Sequence, residues 1–333
     1  MDVFIHPRFE VDFEKHPIVL VDVGARGGLK SNWAAATRHL HLIGFEPDKR
    51  EFGRLSDRHR PESPTTFLDV ALHNQRGPIR FNIARDRGLS SIFEPDRTFL
   101  DAFPEANRFD IVEVQPVEAD TLDNQLHAHR IADVDFIKAD TQGSELFVLE
   151  GARNALSTSV IGVEVEVEFA SIYRGQPLFA DVDGFLRSLG FVLFDLRPCY
   201  WKREAGRALG GPRGQIIWAD ALYLKSIPAL TALSASLDPA AGKSKILKSM
   251  AIALLYGYCD YAMEIARASD IALSDDERST IDAQLREAGE REFARAEFPG
   301  RRPLAAVLHR IWRMIRPRDD GWSVSNAHLG NLR

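Results

Sequence analysis

The sequence predicts an α/β fold: a doubly wound, mostly parallel sheet, followed by an all-helical C-terminal appendage. Over the first ~225 residues, short β-rich runs alternate with helical patterns, as expected for a parallel sheet with helices on both faces. From about residue 227 the β-rich runs stop, and apolar residues recur at helical spacing. We therefore divide the chain into residues 1–227 and residues 228–333.

Seven runs in the first part are strand candidates. They are Ile18–Val23, His41–Phe45, Thr66–Leu72, Asp135–Ala139, Val160–Glu166, Phe191–Leu196 and Ala221–Leu224. A segment rich in Gly, Pro and Arg joins the last two runs, so these two are expected to form an antiparallel hairpin. Two further runs, Ile79–Ile83 and Ile111–Val117, predict an insertion at one edge of the sheet. Long excursions of this kind are often functional.

The second part of the chain predicts several helices. Apolar residues at helical spacing extend from Ile246 to Ile265, and Gly257 is expected to divide them into a helical hairpin. The residues Ser274-Asp275-Asp276-Glu277 form a capping box that starts another helix. Pro303 is a suitable first residue for the last helix. These helices could also mediate a homodimer.

The last predicted helix, residues 303–318, combines arginines with an apolar stripe. Leu304, Leu308 and Ile311 lie on the stripe, and Arg310 and Arg313 are among the basic residues beside it. A basic amphipathic helix can lie on an anionic membrane surface, which would place the protein at the inner face of a membrane. The alternative is a helix that docks on its neighbours and exposes its basic face.

The composition limits the possible functions. The 333 residues are 45% hydrophobic and 27% charged, which is ordinary for a soluble globular protein. A net charge of −6 argues against nucleic acid as a partner. No apolar run approaches the ~20 residues of a membrane span. The N-terminus lacks a signal-peptide pattern, and two cysteines cannot form a disulfide framework or a zinc site. We therefore expect a cytoplasmic protein.

The first functional motif joins a strand to a glycine-rich turn. Asp22 lies near the end of the apolar strand, and the turn follows as Gly24-Ala25-Arg26-Gly27-Gly28. Glycines allow a tight turn and a close approach to a ligand, and the helix that follows favours anionic groups at its N-terminus. A dinucleotide fingerprint read from Gly24 would need glycines where the chain has Arg26 and Leu29, so a nicotinamide site is disfavoured. A plain strand–turn–helix connection remains the alternative.

The next two strands also end in candidate ligand-binding residues. Glu46, followed by Pro47, lies 18 residues after Gly28, and a carboxylate there can accept hydrogen bonds from both ribose hydroxyls. Its alternative role is that of an acid at a helix N-terminus. The third strand contains Asp69-Val70-Ala71, which would lie near an adenine in the same crevice. Any of these three residues could equally belong to the core.

Three carboxylates are the catalytic candidates. Asp140 ends the strand Asp135–Ala139, close to where the first motif opens, and its alternative role is a helix cap. Glu145 lies about one helical turn further and could hold an acceptor or an ion, or simply stabilise the helix N-terminus. Glu164 shares one face of a strand with Glu166 and Glu168, and we expect it nearest the pocket. A solvated acidic face is the alternative for this group.

Together these segments resemble the FkbM family of S-adenosylmethionine-dependent methyltransferases over about residues 15–225. The resemblance depends on the stretches "VDVGARGG", "GFEPD", "VALHN" and "DFIKADTQGSELFVLEGA". It implies the class I methyltransferase fold, with a seven-stranded sheet whose last strand is antiparallel. The family usually has an acidic residue where this chain has Gln142. That departure weakens a site that needs three carboxylates there, such as a tight metal site. Asp140, Glu145 and Glu164 could offer oxygen ligands to a divalent metal, but their spacing is not diagnostic, so we assign no metal ligands.

The resemblance also implies a function. S-adenosylmethionine would be the methyl donor, and its methionine part would lie at the glycine turn. The acceptor would be a hydroxyl of a sugar, glycan, glycolipid or related natural product. Because such a hydroxyl is a poor nucleophile, Asp140 is the first candidate base, although it could instead orient the cofactor ammonium. Two other hypotheses are a catalytically degenerate cofactor-binding scaffold and a nicotinamide-dependent oxidoreductase.

Overall fold

A computed structural model describes residues 7–26, 28–57, 64–131, 133–209, 213–268, 273–293, 298–315 and 321–331. Its strands are β1 (Ile18–Val23), β2 (Leu40–Phe45), β3 (Thr65–Leu68), β4 (Ala71–Leu72), β5 (Gly77–Ala84), β6 (Ile111–Asp120), β7 (Phe136–Ala139), β8 (Gly162–Glu168), β9 (Phe191–Trp201), β10 (Gln215–Lys225) and β11 (Ser323–Ser325).

The α-helices alternate with the strands and then end the chain. They are α1 (Pro7–Lys15), α2 (Lys49–Asp57), α3 (Arg97–Leu100), α4 (Leu122–Ala128), α5 (Glu145–Glu150), α6 (Arg153–Thr158), α7 (Phe179–Ser188), α8 (Ile227–Ala235), α9 (Pro239–Leu255), α10 (Cys259–Arg267), α11 (Asp275–Phe293) and α12 (Arg301–Ile315). The helix after the glycine turn, Ser31–His39, is a 3₁₀ helix.

The main sheet confirms the predicted fold class. Its strand order is β11-β9-β10-β8-β7-β1-β2-β3. The strands β3, β2, β1, β7 and β8 are mutually parallel, whereas β10 is antiparallel to both β8 and β9. The predicted C-terminal hairpin is therefore present. The short strand β11 extends the seven predicted strands at one edge.

The predicted insertion forms a second sheet with the order β4-β6-β5. The run Thr66–Leu72, expected to be one strand, divides between the two sheets. Its first part pairs with β2, while Ala71 and Leu72 pair with Ala119 and Asp120 at the end of β6. The chain thus leaves the main sheet after Leu68 and enters the insertion.

Alternate residues of the central strands face two separate apolar layers, as the pleat requires. On one face, the described helices α4 to α7 contribute residues such as Leu126, Leu149, Leu156 and Leu186. On the other face, one core joins Ile18, Leu20, Phe136 and Leu222 of the sheet to Ile246, Met250, Tyr256 and Leu285 of the C-terminal helices. The helices after residue 227 therefore cover this face of the sheet together with Phe13, Trp33 and Ala36 from the N-terminal part of the chain.

A buried ionic cluster fixes α9 on the sheet. The Asp135 carboxylate binds the ammonium groups of Lys245 and Lys248, the latter at 2.8 Å. It also accepts the backbone N–H of Val19 at 2.8 Å. All three charged side chains are buried. Because every donor meets the same carboxylate, the cluster determines where α9 lies along β1 and β7.

The hairpin between α9 and α10 contains the predicted glycine break, since Gly257 has a φ of +81°. The capping box is present too, with the Ser274 hydroxyl and the Glu277 carboxylate exchanging hydrogen bonds with each other's backbone N–H. The last helix begins at Arg301, two residues before the predicted Pro303. Arg316 to Arg318, which the predicted helix included, lie outside the described residues. The boundary between residues 227 and 228 remains a prediction.

Candidate active site

A crevice opens at the carboxyl ends of β1, β2 and β7, where a parallel sheet of this type binds ligands. It encloses about 970 Å³ including its open mouth, and Gly24, Glu46 and Asp140 line it. One wall is apolar and consists of Phe45, Val70, Leu72, Ile79, Phe81 and Ile92. The insertion contributes Arg87, Gly88 and Ser90 to the lining. The crevice thus combines one apolar wall with carboxylates at separate strand ends.

The glycine turn closes the sheet beneath this crevice. Gly24 has a φ of +72°, and a Cβ there would overlap the carbonyl oxygen of Asp140. The backbone N–H of Gly24 donates to Phe45 at 3.0 Å, and that of Asp140 donates to Val23 at 3.1 Å. Only glycine satisfies both the backbone angle and the close approach. The ends of β1, β2 and β7 can therefore meet.

The other residues of this turn differ in whether they line the crevice. Arg26 lines the crevice, whereas Ala25 is buried beneath it. Gly28 has a φ of +81° and is not among the lining residues. Gly27 lies outside the described residues.

Asp22 differs from its predicted role as a cofactor ligand. It is buried, and its carboxylate accepts the Lys138 ammonium at 2.8 Å on the neighbouring strand. Burial alone would lower the pKa of Lys138, but the carboxylates of Asp22 and Asp140 outweigh it and raise that pKa. Asp22 is thus the counterion of a buried lysine and is absent from the lining of the crevice.

Glu46 lies at the end of β2, buried and facing the crevice with Pro47. Its Oε1 accepts the backbone N–H of Asp48 at 2.9 Å. Burial raises the pKa of Glu46 to about 7; the N–H of Asp48 opposes this rise, and the charges of Asp48 and Glu51 add to it. A carboxylate in this position can accept hydrogen bonds from a diol such as the ribose hydroxyls.

The third strand end brings only part of its predicted set to the site. Val70 and Ala71 line the crevice. Asp69 is exposed and is not among the residues that line the crevice, as its predicted contact with a ligand would require.

Asp140 is the catalytic candidate that reaches the crevice. Its Oδ1 accepts the side-chain amide of Gln142 at 3.0 Å, and the same amide nitrogen donates to Glu166 at 2.8 Å. Gln142 has a φ of +58°, an uncommon value for a residue other than glycine. This backbone conformation turns its side chain back over the strand ends, where it fixes Asp140.

Glu145 organises the loop that follows Asp140. Its carboxylate is buried and accepts the backbone N–H groups of Thr141 at 2.6 Å and Gly143 at 2.9 Å. Burial raises its pKa to about 7, although these hydrogen bonds lower it. Glu145 does not line the crevice, so it shapes the loop from within.

The expectation that Glu164 lies nearest the pocket is wrong. Lys138 and Ala139 of β7 pair with Glu164 and Val165 of β8, so Asp140 lies level with Glu166. Glu164 is one step deeper, where it binds the Lys30 ammonium and accepts the Tyr256 hydroxyl at 2.6 Å. The third acid beside the site is Glu166, which the pairing of β7 with β8 would have identified.

Buried acids accumulate behind Asp140. Burial and the neighbouring carboxylates raise the pKa values of Glu166 and Glu168 well above their usual range. Asp140, Glu145 and Glu166 each offer an oxygen within 4.8 Å of the others, which is the donor set that a divalent cation prefers. The Gln142 amide, however, already binds two of them. A cation would have to displace it.

Contacts from the insertion complete the site, and sequence analysis did not foresee them. Arg87 binds Asp48 at 2.8 Å, beside Glu46. The Ser91 hydroxyl donates to the carbonyl of Gln142 at 2.6 Å. The hydroxyl of Tyr173, which follows β8 of the main sheet, donates to the carbonyl of Leu89 in the insertion at 2.9 Å. The strand-like runs in the sequence indicated the insertion, but they did not indicate which residues it would contact.

Strand β10, which lies antiparallel between β8 and β9, and the crevice at the ends of the parallel strands define a class I S-adenosylmethionine-dependent methyltransferase. The sequence model of the Methyltransferase FkbM domain matches residues 22–193. The chain belongs to this family, which confirms the resemblance found in its motifs.

The chain is also similar to individual known proteins. The chain is 26% identical over 189 residues to the 2-O-methyltransferase NoeI of Sinorhizobium fredii, a match that covers 54% of this chain and 75% of the relative. A solved FkbM methyltransferase from Methylobacillus flagellatus is 17% identical with a TM-score of 0.35, over 63% of this chain and 44% of that one. The precorrin-6y C5,15-methyltransferase of Geobacter metallireducens is 11% identical with a TM-score of 0.34, over 65% and 86% of the two chains.

Proposed function

We propose that this methyltransferase transfers the methyl group of S-adenosylmethionine to a hydroxyl of a sugar or glycan-linked acceptor, with Asp140 as the base. The observation that supports it most is the position of Asp140. It lines the crevice next to the glycine turn, on the strand beside β1, and the Gln142 amide holds one of its oxygens.

The residues of the crevice fit this cofactor. Glu46 would accept the ribose hydroxyls, and the apolar wall that includes Val70 and Phe81 would hold the adenine. The turn at Gly24 would hold the methionine end of the cofactor. When bound, the cofactor supplies a methyl carbon that is already activated by a positively charged sulfur.

The chain must therefore align the acceptor and remove its proton. The cofactor would supply the methyl group to the acceptor oxygen, and its sulfur would keep the electron pair of the broken carbon–sulfur bond. Asp140 takes the hydroxyl proton on Oδ2, because Oδ1 is engaged by Gln142. Arg87, Gly88 and Ser90, which the insertion contributes to the lining, would exclude water from the crevice.

A hydroxyl acceptor is supported by the curated relative, whose name describes methyl transfer to the oxygen at position 2. An open groove that continues from the crevice suggests the charge of such an acceptor. Its lining shares Arg26 and Arg87 with the crevice and adds Arg50, Arg54, Arg85, Asp86 and Arg108. Arginine forks bind phosphate and carboxylate groups. An acceptor with an anionic group would suit this groove.

Cofactor binding is the first test. S-adenosylmethionine and S-adenosylhomocysteine are titrated calorimetrically into the wild type and the Glu46→Ala variant, with NAD as a control ligand. If S-adenosylhomocysteine binds the wild type and binds Glu46→Ala more weakly, the result supports the assigned crevice. A folded protein that binds neither sulfur nucleotide, with or without acceptor present, would favour the scaffold hypothesis.

Acceptor class is the second test. Radiolabelled S-adenosylmethionine is incubated with neutral and acidic oligosaccharides, and the methylated products are separated. We expect label in alkali-stable ether linkage on sugar, and its loss in Asp140→Asn. Label found only on nitrogen or carboxylate groups would contradict the proposed acceptor class.

A further inference from the structure

The helix α12 leaves a continuous apolar face in contact with solvent. None of its residues is buried. The exposed fractions of its large apolar side chains range from 46% for Ile311 to 81% for Met314. Isolated apolar residues are common on protein surfaces, whereas a contiguous apolar patch marks an interaction site.

All but one of the basic residues of this helix lie opposite its apolar residues. At 100° per residue, the apolar side chains fall within an arc of about 160°. They are Leu304, Val307, Leu308, Ile311, Trp312, Met314 and Ile315. The opposite arc contains Arg302, His309, Arg310 and Arg313, whereas Arg301, in the first turn of the helix, falls within the apolar arc. The segregation is that of a helix that lies in an interface with its apolar side down.

The charge of the helix identifies the kind of interface. Residues 301–315 contain four arginines and no acidic residue, although the chain as a whole has a net charge of −6. Positive side chains along the edges of an inserted helix contact anionic lipid headgroups. A second copy of the helix would instead bring like charges together. We propose that α12 docks the enzyme on an anionic membrane surface.

The helix lies on the membrane and does not cross it. Its 15 residues extend about 22 Å, which is shorter than the ~30 Å hydrocarbon layer. Within the described residues, no helix combines the length and apolarity of a membrane span. Trp312 is on the apolar arc and belongs to a residue type enriched at the membrane interface.

Tryptophan emission of the full chain provides a direct measurement. Trp312 is 53% exposed, whereas Trp33 and Trp201 are buried and Trp218 and Trp322 are half-buried and lie outside α12, so Trp312 should give most of any change. We expect vesicles of phosphatidylglycerol and phosphatidylcholine to shift the emission to the blue and to sediment the protein. The Trp312→Phe variant should lose the shift and keep the sedimentation.

Variants separate the two components of binding. Leu308→Glu with Ile311→Glu should abolish sedimentation because the apolar face is interrupted. Arg310→Glu with Arg313→Glu should weaken binding at least about fivefold per arginine, since each contributes about 1 kcal/mol near an anionic surface. The matched control replaces two exposed arginines elsewhere, Arg38→Glu with Arg174→Glu, and should bind like the wild type.

Three results would overturn the proposal. Equal binding to pure phosphatidylcholine vesicles would remove the requirement for anionic lipid. Equal loss of binding in the control variant would indicate a general effect of net charge. A concentration-dependent dimer that dissociates in the Leu308→Glu and Ile311→Glu variant, without vesicle binding by the wild type, would assign the face to a second copy. S-adenosylhomocysteine binding by each variant verifies that the fold is retained.

Discussion

Protonation of Glu46 should control adenosine binding near neutral pH. Burial raises the pKa of this carboxyl to about 7, and the proposed ribose contact needs the ionised form. Protonation turns one acceptor oxygen into a donor, so the proton and the ligand compete for the same group. Affinity should therefore rise as the pH increases through 7.

The size of the effect follows from the fraction ionised. With a pKa of about 7, roughly a tenth of Glu46 is ionised at pH 6 and nine tenths at pH 8. Since only the ionised form binds, the apparent dissociation constant should fall about tenfold between these pH values, or about 1.4 kcal/mol. Binding at pH 7 should release about half a proton.

Calorimetry with 5′-methylthioadenosine can measure this effect. This ligand retains the ribose and adenine but has no α-amino group, which in the complete cofactor would titrate near neutral pH and obscure the result. Titrations at pH 6, 7 and 8, each in two buffers of different ionisation enthalpy, give both the affinity and the proton release. Glu46→Gln is the matched variant because it keeps the size of the side chain.

The wild type should show the pH dependence, and Glu46→Gln should bind more weakly with no dependence. A flat affinity in the wild type would refute the ribose contact or the raised pKa. The same dependence in both proteins would locate the titrating group elsewhere. Glu145 is the obvious candidate in that case, since its pKa is also about 7.

Three further outcomes are expected. Asp140→Asn should lower kcat by about 10²–10⁴ with a smaller effect on cofactor binding, whereas Glu164→Gln should change kcat less than about threefold. The reverse order in radiolabel assays would contradict Asp140 as the base and return Glu164 to the catalytic candidates. The buried Glu168 keeps its proton in the folded state at pH values where the unfolded chain loses it. Its contribution to the free energy of unfolding should therefore fall with rising pH by about 1.4 kcal/mol per pH unit over that range. In urea titrations Glu168→Gln should be more stable than the wild type at pH 8 and similar at pH 5, and an equal pH dependence of stability in the two proteins would contradict this. Tyr256→Phe removes a buried hydrogen bond to a carboxylate and should lower the free energy of unfolding by about 1.5–3 kcal/mol. Tyr258→Phe, whose hydrogen bond to the Phe194 carbonyl is 3.4 Å long, should lower it by about 1 kcal/mol or less. Equal losses of stability would argue against the contact with Glu164.

Local patterns predicted the parts of the fold and site that depend on neighbours in the chain. The strands follow from apolar runs, and the roles of Gly24 and Glu46 follow from a turn or a strand end within a few residues. The capping box at Ser274 is equally local. For such features the residues that determine the structure are adjacent in the sequence.

The parts that the sequence did not predict depend on distant partners. Asp22 meets Lys138, which is 116 residues away, and Arg87 meets Asp48 across 39 residues. The choice of Glu164 over Glu166 failed for a related reason. Alternation predicts which residues share a face, but the register between β7 and β8 decides which of them is level with Asp140.

The core beneath the C-terminal helices has a consequence for synthesis of the chain. Strands β1 and β7 are complete by residue 139, yet the apolar face that they share is covered by residues of α9 to α11. A nascent chain must therefore emerge past Leu285 before that face is sealed. Lys245 and Lys248, the counterions of Asp135, also arrive late. During translation the finished sheet would present an open apolar surface, which makes this interval the stage at which the protein most needs a chaperone.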